Sequence, residues 1–125
     1  MSGRVVHFEI PFDDEKRANE FYAEAFGWKL LDLPGYTMAA SGPTTGQAAP
    51  AEAGFINGGL LNRDPAGASS PVIVVDVPNL DEALAKIEKL GGSTVSGKRA
   101  VGDFGFAAYF KDTEGNLMGL WEAAA

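Results

Sequence analysis

The stretch VVHFEIPFDDEKRANEFYAEAFG, Val5 to Gly27, returns later in the chain as SPVIVVDVPNLDEALAKIEKLGG, Ser70 to Gly92. Laid over one another without a gap, His7 falls on Val72, Phe8 on Ile73, Ile10 on Val75 and Phe12 on Val77. At the same offset Asp14 meets Asn79, Ala18 meets Ala83, Tyr22 meets Ile87 and Gly27 meets Gly92. Agreement through a whole strand and helix points to a tandem duplication rather than to composition.

Each copy opens with a strand. Val5–Pro11 alternates, with His7, Glu9 and Pro11 on one face and Val6, Phe8 and Ile10 on the other. Asp13 or Asp14 can cap a helix near Asp14–Phe26, whose apolar stripe is Ala18, Phe21, Tyr22 and Ala25. In the second copy Asn79 caps a helix near Leu80–Leu90, with Glu82 in a capping-box relation and a stripe of Leu80, Ala83, Leu84, Ile87 and Leu90. Strands are expected at WKLLDL, YTMAAS and FINGGLL after the first helix, with Pro34-Gly35 as a turn. TVSGKR, GFAAYF and NLMGLWE follow the second helix, with DTEGN turning between the last two. SGPTTGQAAPAEAG and NRDPAGASSP read as loops, the second joining the copies.

These elements define an α+β fold: two tandem βαβββ modules forming a curved mixed sheet around a pocket. The whole of residues 1–125 reads as one domain, with module one at 1–61 and module two at 70–125. Each helix covers one sheet face, and the uncovered faces can enclose a ligand. His7 and Glu9 are expected on the pocket side, with Phe8 and Ile10 beneath the first helix.

Composition narrows the function. Apolar residues make up 46% of the 125 and charged residues 22%, a globular balance. Seventeen acidic against ten basic residues give a formal charge of -7, with no basic cluster to attract nucleic acid or an anionic membrane. The absence of cysteine excludes disulfides, thiolate nucleophiles and thiolate-bound metals. The sequence has neither a signal-peptide pattern nor an apolar run of membrane-spanning length, so a cytoplasmic location is expected.

The segments VHFEIP…DD…FYAEAFGW, NLDEALAKIEKLGG and FKDTEGNLMGLWE resemble the glyoxalase/bleomycin-resistance/extradiol-dioxygenase superfamily, also called vicinal oxygen chelate proteins. The resemblance covers essentially the whole chain, and its ending is similar to small glyoxalase-like bacterial proteins. It implies lyase, isomerase, dioxygenase or drug-binding functions, and commonly a homodimer. In the metal-using members the ligands stand on the first and last strands of each module. Those places correspond here to His7, the Asn57–Gly59 segment, Val72 and Gly119, so one ligand of four is present. Glu122 lies beyond the last of these places and faces the other way.

A small organic ligand is therefore expected, held by His7, Glu9, Asn57, Phe106 and Trp121, with no cofactor and no complete metal site. His7 and Glu9 are the candidates for any proton transfer. A carboxylate in mid-strand needs water, a partner or a solvent-facing edge, which leaves a hydrated pocket and an exposed edge both open for Glu9. Asn57-Gly58-Gly59 marks either close approach of a ligand or a β-bulge, with the bulge favoured. Tyr36, Phe55, Phe104, Phe106, Tyr109 and Trp121 read mainly as core, with some of them expected to line the cavity. A metal-dependent lyase or isomerase is the enzymatic alternative, and a drug-sequestering protein the non-catalytic one.

Overall fold

The computed structural model describes residues 3–33, 36–45, 49–63 and 67–124. Within these the order is β1 (Val5–Phe12), α1 (Glu15–Phe26), β2 (Lys29–Leu33), β3 (Tyr36–Ala40), β4 (Asn57–Asn62), β5 (Val72–Asp76), α2 (Leu80–Lys89), β6 (Ser93–Val101), β7 (Gly105–Lys111) and β8 (Leu117–Ala123). This is the α+β arrangement of two βαβββ modules. The expected Pro34-Gly35 turn lies outside the described residues. No helix among those described is long and apolar enough to cross a membrane.

The helices start and stop where local chemistry dictates. Asp14 Oδ1 accepts from the Arg17 amide at 3.0 Å, and Asn79 Oδ1 accepts from the Glu82 amide at 2.9 Å. The duplicated positions thus perform the same N-capping task. At Gly27 the backbone turns left-handed, φ 73°, and its N–H bonds to the Ala23 carbonyl. Glycine adopts that conformation without the Cβ penalty, so α1 ends there.

The chain divides into two compact units, His7–Pro71 and Met1–Val6 with Val72–Ala125. In the first, the strands run β2-β3-β4-β1, with β1 and β4 parallel and the other pairs antiparallel. In the second the order is β5-β8-β7-β6, with β5 and β8 parallel. Each unit therefore places its closing strand beside its opening strand. Hydrogen bonds from Gly3 N to Asp76 O, 2.8 Å, and from Asp76 N to Arg4 O, 2.9 Å, tie the chain's start to β5.

In the second unit, Leu80 and Leu84 of α2 pack with Ala108, Phe110 and Leu120 in the buried core. The first unit is aromatic instead. Tyr22 stacks on Trp28 with centroids 5.0 Å apart, and Phe8 meets Trp28 at 5.5 Å. Phe21 departs from its expected place in the apolar stripe, being 58% exposed and packed edge-on against Tyr22. No residue of α1 is fully buried.

Glu122 has a structural duty. Its Oε1 accepts from the Leu80 amide at 2.7 Å and lies 3.7 Å from Lys98 Nζ. It satisfies an otherwise orphaned N–H at the positive end of α2. Glu122→Ala should lower stability by about 2 kcal/mol in urea titration, with Glu122→Gln recovering part of the loss.

Candidate functional site

Strand alternation and register assemble the site on one face of the first unit. On β1, His7 pairs with Asn57 and Glu9 with Gly59 of β4. On β3, Met38 pairs with Gly59 and Tyr36 with Leu61. His7, Glu9, Asn57, Gly59, Met38 and Tyr36 therefore share a face, while Phe8 and Gly58 share the other.

Tyr36 reaches across β4 to join two residues of β1. Its hydroxyl donates to Glu9 Oε2 at 2.9 Å and lies 2.7 Å from His7 Nε2. Gly59 makes that reach possible, since a Cβ at this position would run into the Tyr36 hydroxyl and ring. On the opposite face, a Cβ at Gly58 would meet the Phe8 ring. The register of β4 is unbroken through Asn57, Gly58 and Gly59 against β1, and through Gly58 and Gly59 against β3. The favoured bulge is thus replaced by two clearances, one for each aromatic ring. Glu9 is only 7% exposed, which removes the solvent-facing edge as its explanation.

With Glu9 as a carboxylate, the bridge favours one protonation pattern. A carboxylate only accepts hydrogen bonds, so the single hydroxyl hydrogen of Tyr36 goes to Glu9. The hydroxyl oxygen must then accept from Nε2–H of His7. In neutral His7 the lone pair therefore sits on Nδ1, ready to accept a proton or a hydrogen bond. Burial lowers the His7 pKa below its ordinary 6.5, and the nearby Glu9 charge opposes this only partly. The group is thus mainly neutral at pH 7.

That shift carries a pH signature. The folded state holds the proton less tightly than the unfolded state, so the stabilisation is complete above pH 6.5 and is lost as pH falls through the folded pKa. Urea midpoints should decline on acidification below that value, and the decline should be shallower in His7→Gln. His7 is the chain's one histidine, so NMR follows its titration without overlap.

Beside the cluster lies an open cavity of about 200 Å³ whose lining includes Lys29, Leu31, Met38, Ala40, Thr44 and Asn57. Lys29 and Leu31 pair with Ala40 and Met38, which places all four on the face that carries His7. Thr44 comes from the loop after β3, which turns back through a bridge between Thr44 and Pro50. Asn57 is buried, and its Oδ1 accepts from the Ser41 amide at 3.0 Å. His7, Glu9 and Asn57 are thus brought together, and Asn57 links them to the cavity.

Phe106 and Trp121 belong to the other unit. Phe106 packs against the core cluster that contains Leu80 and Leu84, with Lys98 Nζ 4.3 Å from its ring centroid. Trp121 alternates onto the face opposite Leu120, and its ring stands where a Cβ on Gly105 would project. Sequence reasoning grouped Tyr36 with the core and missed its polar role. The signal was the glycine pair in β4, which a long side chain from a neighbouring strand can cross.

The family's metal-ligand positions do not fit a divalent ion here. His7 Nε2 is engaged by Tyr36, and the space over Gly59 holds that residue's hydroxyl. Val72 is buried and apolar, and a Cβ on Gly119 would lie 3.0 Å from Val74 Cγ2. Among the described residues no group of three or more His, Cys, Asp or Glu is placed to hold a metal.

Comparison with known proteins supports the architecture. Residues 4–41 match the bleomycin resistance protein-like N-terminal family. A glyoxylase-like domain-containing protein of Didymella fabae is 31% identical over 125 aligned residues, covering 96% of this chain and 94% of that protein. Among solved structures, methylmalonyl-CoA epimerase of Streptomyces coelicolor superposes with a TM-score of 0.66 at 19% identity, covering 100% of both chains. A hypothetical protein of Bacillus halodurans gives 0.66 at 18% identity, covering 100% of this chain and 97% of that one. The chain belongs to the glyoxalase-like, vicinal oxygen chelate superfamily.

Proposed function

We propose that this protein binds a small organic molecule at the His7–Tyr36–Glu9 face, without a complete set of protein metal ligands. The observation that carries this reading is the Tyr36 bridge. It holds a buried carboxylate and a neutral imidazole in one orientation, and it directs the imidazole lone pair to Nδ1. A ligand hydroxyl, amide or acidic C–H presented to Nδ1 would meet a pre-oriented acceptor. Any turnover would then be proton transfer, with His7 as base and Glu9 acting on it through the Tyr36 hydroxyl. This is the simplest chemistry by which the site could act as an isomerase or lyase.

The match of residues 4–41 to a bleomycin-resistance-like family favours a second reading, sequestration of an organic compound without reaction. Native mass spectrometry of the purified protein, followed by chemical identification of any retained compound, tests both. That compound should bind His7→Gln at least tenfold more weakly, the effect of about 1.4 kcal/mol. Equal affinity in the variant would remove His7 from the site. Incubating the identified compound with protein in D2O then separates the readings. Deuterium incorporation that disappears in His7→Gln marks proton-transfer catalysis, and an unchanged compound marks sequestration.

A further inference from the structure

We infer that the cavity beside His7 takes a small organic anion, a monocarboxylate with a short apolar body, whose charged end lies at Lys29. This rests on the ligand-binding reading above and adds the chemical class and orientation of the ligand. The cavity measures about 200 Å³. That is below the ~300 Å³ at which sites for drug-sized molecules begin, so the part of a ligand held inside is metabolite-sized. Leu31, Met38 and Ala40 supply apolar contact, and Lys29 is the charged residue in the lining.

Lys29 is one of seven Lys and Arg residues with no ion pair among the described residues, and of these it alone lines the cavity. Lys16 meets Glu20, Arg63 meets Asp13, and Lys98 meets Asp81 and Glu122. No carboxylate lies within ion-pair distance of Lys29 among the described residues. The chain as a whole carries a net charge of -7. The total charge would favour a cationic ligand at long range. At contact, however, the nearest charge dominates, because salt screens charges more than about 8 Å away.

The sheet supplies the orientation. Lys29 pairs with Ala40, the Ala39–Gly58 pair brings Ala40 beside Asn57, and Asn57 pairs with His7. These four residues form one row across β2, β3, β4 and β1. Three strand spacings separate the ends of the row, about 14 Å between backbones. The four-carbon stem of lysine lets its ammonium reach inward and shorten that span. A ligand in the cavity can therefore have its carboxylate at Lys29 and its opposite end toward Asn57 and His7.

The test uses hexanoate, 2-oxohexanoate and the uncharged hexanamide, titrated by NMR while the His7 imidazole signals are followed. The two anions should bind more tightly than hexanamide, and Lys29→Gln should weaken them roughly fivefold while leaving hexanamide unchanged. Lys29 is exposed, so this variant should keep its fold. Equal binding of hexanoate and hexanamide, both moving the His7 signals, would overturn the anion inference and leave the His7 site standing. Anion binding sensitive to Lys29→Gln but silent at His7 would support the cavity inference and remove the proposed role of His7. Binding by none of the three probes would overturn the anion inference.

Discussion

A Gly59→Ala protein should lose on the order of 3 kcal/mol of stability, a large effect for one methyl group. The backbone at Gly59 has no left-handed conformation, so conformational freedom is not what glycine supplies here. It supplies space. The added Cβ would land on the Tyr36 hydroxyl and ring, and Tyr36 cannot move aside without giving up His7 and Glu9. The cost therefore combines overpacking, about 1–3 kcal/mol, with loss of the hydroxyl bonded to a buried carboxylate, also about 1–3 kcal/mol. A double-mutant cycle in urea isolates the cause. In a Tyr36→Ala background the obstruction is gone, so adding Gly59→Ala should cost little. The same loss in both backgrounds would show that the collision with Tyr36 is not responsible.

The glycine pair also shows where sequence reading reaches its limit. Local signals placed the helices well: Asp14 and Asn79 at the caps, Gly27 at the stop, and a shared offset between the modules. Alternation put His7 and Glu9 on one face because it depends only on neighbouring residues. The Tyr36 bridge depends on the register of β3, β4 and β1, and its ends are separated by 29 and 27 residues. No local pattern carries that register. Without it, Gly58-Gly59 reads as a bulge, Tyr36 as core and Glu9 as an open question. With it, each becomes part of the same construction. Glu122 was recognised as facing away from the ligand position, but its bond to the Leu80 amide required knowing where α2 begins in space. Phe21 fits the helical period and is nevertheless exposed, because periodicity describes a face and not the width of the surface that receives it.

Tyr36→Phe asks whether the hydroxyl, rather than the ring, organises the site. The ring is retained, so no cavity opens and Gly59 is covered as before. What disappears is one oxygen with two partners. Glu9, buried at 7% exposure, loses a donor, and stability should fall by about 1–3 kcal/mol. Nε2–H of His7 loses its acceptor, so the preference that places the lone pair on Nδ1 relaxes. Nitrogen-15 NMR of the single imidazole should show neutral His7 as the Nε2–H tautomer in the parent protein and as a mixture in Tyr36→Phe. A ligand that depends on Nδ1 should bind roughly tenfold more weakly, since part of the population presents N–H where the ligand needs a lone pair. Retention of the Nε2–H tautomer at full strength would show that another group orients His7, and Glu9 would then have no route to it through Tyr36. Loss of both tautomer preference and binding would make the Tyr36 hydroxyl the positioning group: it transmits the constraint of a buried carboxylate to the tautomer of the imidazole.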